Sequence, residues 1–252
     1  MNNKNFFKYC FGCDPDTLPG SVIITPFIKL ELFKEYCNVI DSFRGKIYSG
    51  IKAAKNGKEF CVIKCGIGGS MSGDAAILLA QSKASNMVFL GACGGFGDCE
   101  IGDIVIGERA FNGEGFSRYY NGTHDHEDIQ DPKNMTDCSK GYTGTLEDLL
   151  YKKNISFKKG DIYTIGSLTA EDKDLLMKIE GGGFKAVEME LSAVYNGGKK
   201  SGIKTASLLF VSDLPLEKPI WKVSSSEYQG KKCFETLKKT IEVSVEFMTE
   251  VR

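Results

Sequence analysis

Residues 88–107 read VFLGACGGFGDCEIGDIVIG. An apolar run stops on Gly91, Gly94, Gly95 and Gly97, and a second apolar run starts at Ile104. The first run reads as a strand over Met87–Leu90 that breaks into a glycine turn, and DIVIGE reads as the next strand. A strand followed by a glycine-rich turn is a common phosphate cradle. Here no Lys or Arg lies between Lys83 and Arg109, so such a cradle would have to work without a cation.

Outward from this stretch, strands alternate with helices. SVIITPF contains a β-branched run, Val22–Thr25, stopped by Pro26. KLELFKEYCNVI, residues 29–40, has helical spacing. Asn56-Gly57 marks a tight hairpin between KIYSGIKAA and EFCVIKC. AAILLAQSKA reads as a helix. Residues 112–142 are polar and turn-rich, which predicts a long surface loop. GTLEDLLYKKN, EDKDLLMKIE and LSAVYNGGKK read as helices, and DIYTIGS, KAVEM and KTASLLFVSD as strands. At the C-terminus Phe234, Leu237, Ile241, Val245 and Met248 form one helical stripe, with Ser224 and Glu227 as a capping box. Strands that are almost continuously apolar imply a sheet covered by helices on both faces. The expectation is one α/β domain over residues 1–252, with ligands at the carboxyl ends of the strands.

The chain has 252 residues, 42% of them hydrophobic and 26% charged, which suits a soluble globular domain with a full core. A net charge of −1 gives no bias toward nucleic acid or an anionic membrane. No apolar run approaches the roughly 18–20 residues of a membrane span. MNNKNFFKYC lacks the apolar core of a signal peptide. Nine scattered cysteines read as reduced thiols, hence a cytoplasmic location.

Three strand ends carry most of the chemistry. The first ends in GACGG, the second in Glu188-Met189-Glu190 and the third in Ser212-Asp213. Two carboxylates flanking a methionine suit a sugar: carboxylates accept from vicinal hydroxyls and a thioether packs on the apolar ribose face. Asp213 is a general acid if burial raises its pKa. Each residue taken singly also has a plain structural reading. Glu188 or Glu190 suits a helix N-terminus, and Asp213 suits a turn before Pro215.

GIGGSMSGD, FLGACGGF…IGDIVI, AVEMELSAVY and FVSD, in that order, resemble the four motif blocks of the nucleoside phosphorylase/nucleosidase superfamily. Within it the chain looks most like the short, single-domain AMP nucleosidases, through SVIITPFIKLELFKEY, FLG-x-CGG, Gly113–Gly115, DIYT and FVSDLPLE. The resemblance implies a three-layer α/β/α sandwich around a mixed central sheet. It also implies cleavage of the N-glycosidic bond of a purine nucleoside or nucleotide, without a cofactor. By the same resemblance Asp213 protonates the leaving base, while Glu190 and Glu188 hold the ribose hydroxyls. Met189 packs under the sugar, and the backbone at Gly66, Gly68, Ala92, Cys93 and Gly94 lines the pocket. It further implies a homo-oligomer, hexamer or dimer, with Arg44 offered to a neighbouring copy's phosphate site.

The departures from that pattern favour hydrolysis over phosphorolysis. Phe89 and Ala92 stand where phosphorolytic members carry an arginine and a hydroxyl residue, and only Lys29 lies near the end of the first strand. A phosphate dianion leaves water only for paired, charge-assisted donors. Ala92 and Asn112 are neutral where the short AMP nucleosidases carry basic residues; Arg118 either compensates or is a solvated loop residue. Phosphorolysis with Arg44 and Lys29, and a nucleoside-binding protein with a degenerate site, are the alternatives. Cys10 and Cys13 form a lone CxxC without a second ligand pair. His124 and His126 sit in the most polar loop and read as solvated, so no metal is expected. Trp221 either covers the base pocket or packs on the core.

Overall fold

The computed structural model describes residues 3–115, 129, 131–223 and 226–250. Among the described residues, ten strands form one mixed sheet. In chain order they are β1 (Ser21–Thr25), β2 (Asn38–Arg44), β3 (Ser49–Lys55), β4 (Lys58–Lys64), β5 (Asn86–Gly95), β6 (Ile104–Gly113), β7 (Met135–Asp137), β8 (Lys158–Ile165), β9 (Ala186–Glu188) and β10 (Lys204–Asp213). The described helices of the cover are α1 (Lys4–Phe11), α2 (Gly69–Leu78), α3 (Lys140–Lys152), α4 (Lys173–Gly181), α5 (Leu191–Ser201), the short α6 (Ile220–Val223) and α7 (Glu227–Glu250).

The period-two alternation of the central strands separates two cores. Val22 and Ile24 of β1, with Phe89 of β5, pack with Phe7 of α1, Ala75 of α2 and Val194 of α5. Ile23, Val88 and Leu90 face the other way, against Leu146 of α3 and Ile241, Val245 and Met248 of α7. Helices therefore cover both faces, as the continuously apolar strands require. The sheet is more than a flat layer. β5 pairs with β10, β10 with β6, β6 with β8, β8 with β9, and β9 with β5 again, so five strands close into a ring. β1, β4, β3 and β2 extend from β5 as an open wing.

Several local expectations change. Residues 29–40 are not one helix: a 3-10 turn spans Leu30–Glu35, and Asn38–Arg44 is the edge strand β2, antiparallel to β3. The β-branched Val39 and Ile40 lie next to a preformed hairpin edge, and ladder hydrogen bonds outweigh weak helical spacing. Within that hairpin Asn56 and Gly57 have φ of 52° and 76°, the paired positive values of a two-residue turn. The polar stretch 112–142 contains β7 and the start of α3; Ser139 precedes that helix. In α7, Phe234 is exposed at 48% while Ile241, Val245 and Met248 are buried. Ser224, the other half of the expected capping box, lies outside the described residues.

The glycine stretch is the main revision. β5 does not end at Leu90; it runs through Gly91–Gly95, and Ala92, Cys93 and Gly94 pair in parallel with Phe210, Val211 and Asp213 of β10. The glycines are needed for close approach rather than for a turn. A Cβ on Gly94 would lie 2.4 Å from Pro215 Cγ, too close for any side chain. The chain turns only at residues 96–103.

Candidate active site

Three strands of the ring, β5, β9 and β10, line one cavity of about 510 Å³. β5 contributes Ala92, Cys93 and Gly94, the end of β9 contributes Glu188, Met189 and Glu190, and β10 contributes Phe210, Ser212 and Asp213. All three strand ends singled out in the sequence therefore meet. Gly68 lines a smaller adjoining cavity. Gly66 and Arg44 line neither cavity; Arg44 closes the exposed edge strand β2.

Asp213 reaches the cavity through a bulge. The β5–β10 register shifts between Val211 and Asp213, so Ser212 has no partner of its own in the ladder. Strict alternation would turn Asp213 to the same face as Val211, into the apolar core. The bulge turns Ser212 and Asp213 toward the same cavity, a common use of bulges beside active sites. Asp213 is 8% exposed. Burial raises its carboxyl above the usual carboxylate range, opposed by the Ser212 hydroxyl and the Ile220 amide. Ser212 Oγ lies 2.9 Å from Asp213 Oδ1 and 3.2 Å from the Cys93 carbonyl oxygen, so it ties the carboxyl to β5.

The two glutamates flanking Met189 have different surroundings. Glu188 Oε2 accepts from the backbone N–H of Glu190 and of Leu191, each at 2.7 Å, and Oε1 accepts from Thr164 Oγ1 at 2.6 Å. It holds the N-terminus of α5, as its plain structural reading requires. Glu190 stands at the cap position of α5, makes no side-chain cap bond, and accepts from Gly68 N–H at 2.6 Å. Burial raises both carboxyls; for Glu188 the neighbouring Glu190 adds to the rise and its three hydrogen bonds oppose it.

Two further carboxyls belong to this site and were not singled out in the sequence. Glu171, between β8 and α4, lines the cavity; burial and the charge of Asp213 push it up to about 7. Nothing in EDKDLL separates it from a helix-capping acid, so no local signal pointed to it. Glu114, at the end of β6, lines the adjoining cavity and accepts from Ser192 Oγ, with burial raising its carboxyl. Its only signal was the GEG at Gly113–Gly115.

Four carboxylates line the main cavity and no Lys, Arg or His does, among the described residues. Trp221 is 69% exposed and is not a lining residue, whereas its neighbours Ile220 and Val223 are. Cys10 is buried at the end of α1, Cys13 is half-buried after it, and both are free thiols. Arg118, His124 and His126 lie outside the described residues. Among the described residues no cluster of His, Cys, Asp or Glu is arranged for a metal, and no helix is long and apolar enough to cross a membrane.

The fold is that of the α/β proteins with a mixed central sheet, and the candidate site lies where β5, β9 and β10 meet. Residues 24–247 match the family described as the Phosphorylase superfamily, and the chain belongs to that family. A DeoD-type purine nucleoside phosphorylase of Bacillus cytotoxicus is 27% identical over 198 residues, covering 78% of this chain and 80% of that protein. The fold is also that of a uridine phosphorylase from Vibrio fischeri, with a TM-score of 0.78 at 17% identity over 93% of each chain. It is likewise that of a 5'-methylthioadenosine/S-adenosyl homocysteine nucleosidase from Campylobacter jejuni, with a TM-score of 0.75 at 15% identity, covering 92% of this chain and all of that one.

Proposed function

We propose that the protein cleaves the N-glycosidic bond of a purine nucleoside and that water is the nucleophile. One observation carries the choice of water: the cavity is lined by Glu171, Glu188, Glu190 and Asp213 and by no cationic side chain among the described residues. A free phosphate dianion would find no charged donor there, only carboxyls. A carboxyl of this set that ionises favours the oxocarbenium-like transition state more than the neutral substrate.

In this reading Asp213, kept protonated by burial, donates to the purine as the bond to the sugar breaks. Ser212 orients that carboxyl. Glu190 accepts from the ribose hydroxyls, Met189 packs against the sugar, and Glu188 acts by holding Glu190 and the start of α5 in place. A homo-oligomer, with Arg44 on the exposed edge strand turned to a neighbouring copy, belongs to the same reading. Phosphorolysis is the second reading, favoured by the sequence likeness to a DeoD-type phosphorylase.

The test is to incubate the protein with adenosine, inosine, methylthioadenosine and AMP, each with and without phosphate, and to assay free base and sugar. Base release with the free sugar of each substrate, at a rate independent of phosphate, is the expected result. A rate proportional to phosphate, with ribose 1-phosphate as product, would replace hydrolysis by phosphorolysis. Tight binding without turnover would identify a nucleoside-binding protein.

A further inference from the structure

Two acids stand side by side where the segment after β8 enters α4. Asp172 caps the helix: its carboxylate accepts from the Leu175 N–H at 2.9 Å. Glu171 is thus left without the usual structural duty of an acid at such a place. Its φ and ψ are −73° and 57°, and the Asp172 N–H donates to the Ala170 carbonyl at 2.8 Å, so Glu171 is the apex of an inverse γ-turn. From there it lines the main cavity, together with Leu168 of the preceding 3-10 turn.

The four carboxyls of this cavity are not equally engaged. Glu188 accepts from Thr164 and from two backbone N–H groups, and Glu190 accepts from the Gly68 N–H. Asp213 accepts from the Ser212 hydroxyl and the Ile220 amide. The Glu171 carboxyl makes no hydrogen bond or ion pair among the described residues; what acts on it is burial and the charge of Asp213. A half-buried acid without a protein partner keeps its hydrogen-bonding capacity for whatever fills the cavity.

We propose that Glu171 is a specificity-determining residue that reads the substituent at C6 of the purine and selects a 6-amino over a 6-oxo base. In the reading above Asp213 donates to the purine, whose acceptor on the imidazole ring away from the sugar is N7. On one side of N7 the ring carries only a carbon-bound hydrogen, and on the other the nearest polar group is the C6 substituent. Glu171 shares the cavity with Asp213 and feels its charge, which suits that group rather than the sugar, held in this reading by Glu190 and Met189. A 6-amino group offers a donor and a 6-oxo group only an acceptor. The Glu171 carboxyl accepts from the amino group whether or not it carries a proton, and in its ionised form it also repels a keto oxygen. This inference rests on the nucleoside reading of the main cavity and assigns its base.

The experiment measures binding, so that it does not depend on turnover. The probes are formycin A and formycin B, analogues of adenosine and inosine joined through a carbon–carbon bond that a glycosidase does not cleave. They differ from each other only in the amino or oxo group at the position of C6. Titration calorimetry compares the wild type with Glu171→Gln and Glu171→Ala at pH 8, above the value of about 7 at which Glu171 titrates, with circular dichroism as the check on folding. The wild type should bind formycin A about tenfold more tightly than formycin B. Glu171→Gln, whose amide both donates and accepts, should bring the two affinities close to equal, mainly through tighter binding of formycin B. Glu171→Ala should shrink the ratio through weaker binding of formycin A. Equal affinities in the wild type, or a preference for formycin B, overturn the proposal while leaving the nucleoside reading intact, and so does a ratio unmoved by Glu171→Gln. Failure of both probes to bind at millimolar concentration overturns the nucleoside reading and this proposal with it. Should Glu171→Gln not fold, the wild-type ratio and Glu171→Ala decide in the same way.

Discussion

Two carboxylates placed along the stretch 88–107, Asp213 by pairing across from β10 and Asp98 within the stretch itself, behave in opposite ways. At the strand end, Asp213 pairs in register with Gly94, is 8% exposed and has its carboxyl raised by burial. Four residues beyond Gly94, in the turn after β5, Asp98 is largely solvent-exposed and accepts from Lys185 at 2.7 Å and Lys158 at 2.9 Å. Those two lysines hold its carboxyl well below the usual range. The protein has lysines to spare and spends them on the outer turn. Its cavity carboxyls are buried without cations among the described residues, which is unfavourable for folding and useful for proton transfer. Position relative to water, more than residue type, separates an acid poised for chemistry from one that ties a turn.

The sharpest way to break this comparison is at Asp213. Asp213→Ala should lower kcat by about 10²–10⁴ on the best substrate, the usual effect of removing a general acid. Asp213→Asn keeps a donor and should lose less, with substrate affinity little changed in either. Steady-state kinetics decide, and wild-type turnover by Asp213→Ala would reduce the residue to a ladder position. Glu190→Gln should follow in size, costing about 1.5–3 kcal/mol in transition-state binding because an amide replaces a charged acceptor. The check is whether the 2′-deoxy substrate loses less than the ribosyl one.

A third effect concerns stability against pH. Glu171 titrates near 4.5 when unfolded and at about 7 in the folded chain, so the fold binds the proton more tightly. Its contribution is fully present below pH 4.5 and is lost as pH rises through about 7. Glu188, Glu190 and Asp213 shift in the same direction. The unfolding midpoint of the ligand-free protein should therefore be higher at pH 6 than at pH 8, read by calorimetry. Glu171→Gln should flatten that dependence. The smallest effect belongs to the outer turn. Asp98→Asn should leave turnover unchanged and move the midpoint by less than about 2 °C, as exposed ion pairs contribute little. A loss of activity there would mean that the turn shapes the cavity after all.

The strand ends that line the cavity were legible because their signals are local. KTASLLFVSD is apolar to its last two residues, and Glu188-Met189-Glu190 interrupts an apolar strand at the start of a helix. Glu171 and Glu114 were not legible as site residues. Each acid becomes distinctive only when distant elements surround it: beside Glu171 the charge of Asp213 comes from the end of β10, and beside Glu114 Ser192 and Gly69 come from two separate helices. The 29–40 segment misled for the reverse reason. Its helical spacing is a weak local preference, and the hairpin of β3 and β4 offers a stronger non-local one.

By itself the sequence determined the alternation of strands and helices, the Asn56-Gly57 hairpin, the buried stripe of Ile241, Val245 and Met248, and the placement of acids at the ends of β9 and β10. These follow from periodicity, turn chemistry and hydropathy, which act over a few residues. Only the tertiary structure decided that Gly91–Gly95 is strand rather than turn, because the requirement comes from Pro215, more than a hundred residues away. Only it decided that five strands close into a ring, and that a bulge at Ser212 turns Asp213 out of the core and into the cavity. Side-chain direction in a strand depends on the register of its ladder, and register is fixed by the partner strand rather than by the sequence of the strand itself.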